Sequence, residues 1–257
     1  MGYTPDRFIK HVNHALQRHR LLVVDRFEVR FALQKQHAEH VDRWVDFASA
    51  SRIKHFVLDL SPAVRTNRQS EGHKYEFLVN LLNGQNGSPI VSLRLGLVCL
   101  KLPSDFLGFT DLKKLELHLA NISLKGGSSK MDYIVNELTC SLAHVGGLLI
   151  KFSTFNTEAT GFTKNQSQFT CLRHLVLKLI INGESENDIS VLRLTYIVEA
   201  SPQLEYFELH MDSDNSGPST LSINNCICPV VHHHLRRVHM TGLIGLAGQL
   251  ELASTLF

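Results

Sequence analysis

The sequence predicts an α/β fold, a curved parallel sheet with helices on its convex side, wound as a solenoid. Three observations predict it. An apolar-x-x-apolar-x-apolar triplet recurs eight times along the 257 residues. Successive copies start 29, 37, 22, 33, 27, 32 and 31 residues apart, a near-regular spacing. From the N-terminus onward, stretches of helical period alternate with stretches of strand period.

The elements follow in order. Thr4-Pro5-Asp6 is a helix start, with Thr at the cap, Pro in the first turn and then an acid. Phe8, Ile9, Val12 and Leu16 continue it at helical spacing, giving a leading helix within residues 1–20. Phe27, Val29 and Phe31 alternate with Glu28 and Arg30, a half-buried strand. Val41, Trp44, Val45 and Ala48 make a second amphipathic helix, and Phe56, Leu58 and Leu60 a second strand. The triplet copies are Val24/Phe27/Val29, Ile53/Phe56/Leu58, Ile90/Leu93/Leu95 and Leu112/Leu115/Leu117, then Val145/Leu148/Ile150, Leu172/Leu175/Leu177, Leu204/Phe207/Leu209 and Leu235/Val238/Met240. A period-two continuation runs through Phe31, Leu60, Leu97, Leu119, Phe152, Leu179 and Met211 and fails only at Gly242. Met131, Ile134, Val135, Leu138 and Leu142 form a further helix. The stretch from Ile189 to Ala200 forms another, stopped by Ser201-Pro202. Residues 62–74, 182–188 and 212–219 are polar and are expected as loops.

This is the leucine-rich-repeat signature, with units slightly longer than the usual 20–29 residues. The extra length suits a full helix behind each strand. A single unit cannot bury both its strand face and its helix face, and stacking neighbours makes one continuous core. The expected organisation is one domain over residues 1–257, with about eight irregular repeats and an incomplete last repeat at 235–257. That last repeat would expose Leu246, Leu250 and Leu256.

Composition narrows the function. Lys and Arg number 26 against 24 Asp and Glu, a net charge of +2, too small for a nucleic-acid binder led by phosphate attraction. No apolar run approaches the ~18 residues of a membrane helix, and the N-terminus has no signal-peptide core. Gly2 is not a myristoylation site, because position 6 is Asp. Cys99, Cys140, Cys171, Cys226 and Cys228 are odd in number and scattered, which reads as free thiols in a reducing compartment, cytoplasm or nucleus.

No catalytic motif is present, neither a Gly-x-Ser-x-Gly elbow nor a phosphate loop, so no enzyme and no cofactor are expected. Residues 84–87 and 126–129 are glycine-rich without the downstream Lys and read as turns. Asp42, Arg43 and Asp46 around Trp44 read as a surface charge set. Fifteen histidines are the unusual feature. His232-His233-His234 follows Cys226-Ile227-Cys228 closely, and the two cysteines with one His could supply three zinc ligands, but the spacing fits no standard site, and an exposed loop is the plainer account. His11/His14 and His37/His40 read as solvated helix faces.

Several segments together resemble the plant F-box/leucine-rich-repeat proteins of the FBD type. They are Phe8-Ile9-Lys10-His11-Val12-Asn13, Phe27-Glu28-Val29, Val41-Asp42-Arg43-Trp44-Val45 and Phe56-Val57-Leu58-Asp59-Leu60. Leu102-Pro103 through Gly108-Phe109 into Leu112-Lys113-Lys114-Leu115 agrees, as does His232-His233-His234-Leu235 with Thr241-Gly242 and Gly248-Gln249-Leu250-Glu251-Leu252. The resemblance spans nearly the whole chain. It implies repeats that hold a protein substrate for a cullin–RING ubiquitin ligase, with an N-terminal F-box that docks on the ligase adaptor. The sequence departs from that plan: it carries no F-box, its middle (residues 121–170) is short, and it stops inside the closing helix. Partner binding is therefore expected, and adaptor docking only where an F-box is encoded upstream. A scaffold or decoy without ligase docking is the alternative. A metal site around Cys226, Cys228 and His232–His234 is the alternative of another class.

Between the core positions of each triplet lie the residues facing out along the sheet. These are Glu28 and Arg30, Val57 and Asp59, Arg94 and Gly96, Glu116 and His118, Leu149 and Lys151, Val176 and Lys178, Glu208 and His210, and His239 and Thr241. Arg30, Asp59, Arg94, Glu116, His118, Lys151, Lys178, Glu208 and His210 are the candidate partner-binding residues. Their balanced charge suits a protein or peptide ligand, with no nucleic acid and no membrane among the partners.

Overall fold

The structure, a computed structural model, describes residues 4–19, 24–62, 74–82, 88–101, 109–119, 138–139, 142–154, 168–181, 194–213, 232–243 and 252–254. The fold is α/β, with eight strands of parallel sheet and few helices. The chain divides into two compact units, residues 1–123 and 124–257.

In the first unit, helix α1 (Pro5–Arg18) precedes strand β1 (Arg26–Arg30), helix α2 (Ala38–Ala50) and strand β2 (His55–Asp59). Strands β3 (Tyr75–Leu78), β4 (Ser92–Gly96), β5 (Val98–Lys101) and β6 (Lys114–Leu119) follow. The main sheet runs β1-β2-β4-β6, every pairing parallel. Its register is in phase with the triplet. Phe27, Phe56, Leu93 and Leu115 form one cross-strand row, and Val29, Leu58, Leu95 and Leu117 the next. All eight are buried.

Aromatic contacts close the inner face. Phe27 stacks on Phe56 at 5.9 Å and meets Phe47 of α2 at 6.1 Å; Phe56 meets Phe77 of β3 at 6.1 Å. Phe8 of α1 stacks on Phe31 at 4.2 Å and sets its edge against Trp44. Thr4 precedes α1 in extended conformation, as expected of a cap, but its side chain makes no capping bond; Pro5 opens the first turn.

A helix was expected behind every strand, and the structure differs. After β2 and β4 the chain returns through β3 and β5, which pair with each other in parallel. Tyr75, Phe77, Val98 and Leu100 are buried, at a spacing of two within each strand. That period suits an extended segment and not a helix. Helix α2 packs against β3 and the 3₁₀ turn Val79–Leu82. Tyr75 donates a 2.5 Å hydrogen bond to Asp42, tying the two layers. Burial first, and then the Asp42 carboxylate, push the Tyr75 phenol well above its ordinary range.

The second unit has strands β7 (Gly147–Thr154) and β8 (His174–Ile181), helix α3 (Leu194–Glu199), and strands β9 (Tyr206–Ser213) and β10 (Arg237–Thr241). The sheet runs β7-β8-β9-β10, each neighbouring pair parallel. Its core rows are Leu148, Leu175, Phe207 and Val238, then Ile150, Leu177, Leu209 and Met240. The triplet Val145, Leu148 and Ile150 is buried throughout. Val238 and Met240 on β10 are half-buried. Helix α3 ends where Ser201-Pro202 requires, and the Ser201 hydroxyl donates to the Ile197 carbonyl at 2.7 Å. Strand β9 extends through Asp212 and Ser213, into the segment expected as a loop.

One backbone device recurs in both units. A single carbonyl just before each strand accepts from two consecutive N–H groups of the next. Asp25, Lys54 and Val91 do this in the first unit, and Gly146, Arg173 and Glu205 in the second. A second device is a tight turn into the triplet: Leu112 N–H donates to Phe109, Leu172 to Phe169 and Leu204 to Ser201. Strands β2, β4, β6, β8, β9 and β10 thus share this entry, a carbonyl met by two consecutive N–H groups, which holds the register from one strand to the next.

Gly242 breaks the apolar continuation for a steric reason. Its φ is +76°, and a Cβ would lie 1.8 Å from the Met211 carbonyl oxygen, a backbone atom that cannot swing away. Gly242→Ala is expected to destabilise the chain by about 1–2 kcal/mol. Amide exchange on β10 should speed up, and unchanged protection of Val238 and Met240 would refute the expectation. Of the continuation, Leu60, Leu179 and Met211 are buried, while Phe31 and Leu97 are half-buried. Of the helix expected from Met131 to Leu142, Leu138 and Leu142 are described and buried. The loops at 182–188 and 214–219, the glycine-rich segments 84–87 and 126–129, and Leu246, Leu250 and Leu256 lie outside the described residues.

Candidate functional site

Alternation along a strand sends every second residue away from the core. In the first unit this makes three outer rows: Arg26, His55, Ser92 and Lys114; Glu28, Val57, Arg94 and Glu116; Arg30, Asp59, Gly96 and His118. The second and third rows hold the candidate residues at the expected strand positions. The exceptions to an open face are Val57 and Gly96, both buried.

Arg94 organises this surface. Its guanidinium lies 3.7 Å from the Asp59 carboxylate and 3.4 Å from that of Glu116. Asp59 and Glu116 retain only 14% and 15% side-chain exposure and Arg94 27%, so water screens the trio weakly. Lys114 adds a 2.7 Å contact to Glu116. Burial pulls the Glu116 carboxyl upward, but the Lys114 hydrogen bond and the charges of Lys114, Arg94 and His118 outweigh it, and the net shift is below the usual range. Arg94 Nε is buried with no hydrogen-bond partner. Gly96 makes room for this arrangement. A Cβ there would lie 2.2 Å from Asp59 Oδ1, so its absence lets the carboxylate lie across the sheet. Arg30 pairs with Glu28 at 2.5 Å, in line with Arg26 at 2.7 Å on the same carboxylate. Hydrogen bonding from Arg26 leads in holding Glu28 below its ordinary range.

In the second unit the rows are Gly147, His174, Tyr206 and Arg237; Leu149, Val176, Glu208 and His239; Lys151, Lys178, His210 and Thr241. Lys151 and Lys178 are direct cross-strand partners, with His210 next in the row. Like charges in that position oppose folding slightly. Beside them Leu149 and Val176 are half-buried, an apolar strip. His210 accepts or donates through Nδ1 to Thr241 Oγ1 at 2.8 Å, and its Nε2 lies 3.4 Å from Glu208 Oε2.

Sequence reasoning missed the first outer row. His174 stacks flat on Tyr206 at 4.3 Å, and Arg237 lies over the same ring at 5.8 Å. The signal was present, since each residue stands immediately before the second apolar position of its triplet.

Of the Cys/His alternative, Cys226 and Cys228 lie outside the described residues. His233 and His234 are exposed in a turn, as the loop account expects. His232 differs: both its ring nitrogens are buried with no hydrogen-bond partner. Burial holds its pKa below the ordinary value, with His233 adding to the effect and Glu199 opposing it. Among the described residues, no helix is long and apolar enough to cross a membrane. Comparison with family models, with curated proteins and with solved structures returns no match to the chain.

Proposed function

We propose that the chain is a leucine-rich-repeat interaction domain, without catalysis of its own, that binds a protein or peptide on the outer face of its parallel strands. The observation that carries this reading is the Asp59–Arg94–Glu116 arrangement. Merely solvated strand positions would leave each charge free in water. Here the charged groups are held in place and largely screened from solvent before any ligand arrives, which lowers the entropic cost of binding. The apolar strip of Leu149 and Val176 beside Lys151 and Lys178 supports a mixed apolar and anionic ligand surface in the second unit. The shared strand-entry bonds and in-phase triplets support the repeat assignment.

By its resemblance to FBD-type proteins, the chain is the substrate-recognition part of a ubiquitin-ligase adaptor. Docking on the ligase then requires an F-box encoded upstream; without one, the same face makes a scaffold or decoy. Cys99 and Cys171 are free thiols, which supports a reducing compartment inside the cell.

The test is an affinity capture from native tissue extract with three baits: the chain, Lys178→Glu, and Lys10→Glu on the exposed surface of α1. Proteins retained by the chain and by Lys10→Glu, but lost at least about tenfold with Lys178→Glu, are the expected partners. If the two variants retain the same set, the reading fails. A fourth bait, the chain fused to an F-box, should add adaptor and cullin; their capture by the unfused chain would overturn the F-box requirement.

A further inference from the structure

We propose that Glu208, His210 and His239 form a binding site for a divalent transition-metal ion of the zinc class on the outer face of the second unit. Glu208 and His210 also belong to the face proposed above for the partner, but metal binding is read with no partner present, so the two proposals fail separately.

The sheet assembles the three residues. Glu208 and His239 are register partners on adjacent strands β9 and β10, and His210 follows Glu208 by two, on the same face. One ligand atom from each lies within 4.8 Å of the others. Ligands of a tetrahedral ion with bonds of ~2.0–2.1 Å stand about 3.3 Å apart. Metal binding at this site requires the side chains to rotate toward one another to close that gap. The His210 and His239 rings are 5.5 Å apart and nearly perpendicular, at 89°.

The surroundings fit the chemistry. Histidines that hold a metal through one ring nitrogen characteristically give the other N–H to an oxygen acceptor. Thr241 Oγ1 stands 2.8 Å from His210 Nδ1 in that role. With Nδ1 protonated, Nε2 presents a lone pair 3.4 Å from a Glu208 carboxylate oxygen. A metal ion between these two acceptors would satisfy both, in the place that the Nε2 proton takes in the other tautomer. Two imidazoles and one carboxylate are a donor set suited to Zn²⁺ over Mg²⁺ or Ca²⁺. His239 is exposed, and Glu208 and His210 are half-buried. The fourth position therefore opens to solvent, as in zinc sites with three protein ligands.

The experiment titrates the purified, metal-free full chain with Zn²⁺ by calorimetry. Because the chain has fifteen histidines and five cysteines, it is read as a difference between variants. His239→Ala should lose one bound equivalent, or weaken it at least about 100-fold. Thr241→Val should keep the equivalent and weaken it about tenfold. The double variant Cys226→Ser/Cys228→Ser should leave it unchanged. Co²⁺ in the same site should give visible ligand-field absorption without a near-ultraviolet thiolate band. Metal-free His239→Ala should unfold at the temperature of the parent, which separates a lost ligand from a lost fold. No bound equivalent in the parent would overturn the proposal, and so would undiminished binding by His239→Ala. An equivalent that disappears with the two cysteines instead would do the same.

Discussion

Trp44→Ala is expected to remove about 3–5 kcal/mol from the unfolding free energy. For a domain whose whole margin is of order 5–15 kcal/mol, that is a large share. Trp44 is 1% exposed, the largest fully buried side chain, on the inner side of α2. Its ring meets the edge of Phe8, and its Nε1–H donates to Asn13 Oδ1 at 2.8 Å, so it joins α1 to α2. Truncation removes the apolar contacts, leaves a cavity among rigidly placed neighbours and strips Asn13 of its partner. Asn13→Ala removes only the hydrogen bond and should cost about 1 kcal/mol. Urea unfolding followed by circular dichroism measures both. A loss under ~1 kcal/mol for Trp44→Ala would mean that α1 and α2 are not held together through this residue.

Arg94→Met is expected to cost about 2 kcal/mol near neutral pH, because it leaves Asp59 and Glu116 facing each other across a half-buried site without their shared cation. The pH dependence has a definite sign. The folded-state pKa of Glu116 lies below its ordinary value of 4.5. A carboxylate depressed on folding contributes stability that is complete above the unfolded value and is lost as pH falls through the folded one. The parent should therefore lose stability as pH drops below about 4.5. Arg94→Met has less of that contribution to lose, so the two stability curves should converge in acid. Unfolding midpoints measured from pH 7 down to pH 3 decide it. A gap that widens toward low pH would contradict the electrostatic account.

The triplet pattern was legible because it follows from chain geometry. Leu58, Leu95 and Leu117, or Ile150, Leu177 and Leu209, stand at the same strand position in every copy, and parallel pairing puts equal positions side by side. The outer residues were legible for the same reason, since alternation dictates them. The segments behind the strands were less so. Tyr75-Glu76-Phe77-Leu78 has a strand's period over only four residues. That is too short to separate from irregular chain until Val98 and Leu100 pair with it.

The repeated strand, its buried and outward faces and the helix boundaries at Pro5 and Pro202 are therefore encoded locally. Each depends on residues near one another along the chain. Which outward residues meet is set by the pairing of strands distant in sequence. Arg94 lies between Asp59 and Glu116 because β4 pairs with β2 on one side and β6 on the other. Gly96 admits the Asp59 carboxylate, and His239 joins Glu208 and His210 across a gap of some thirty residues. Such meetings depend on register between strands distant in sequence, where a shift of one residue would turn every side chain to the other face.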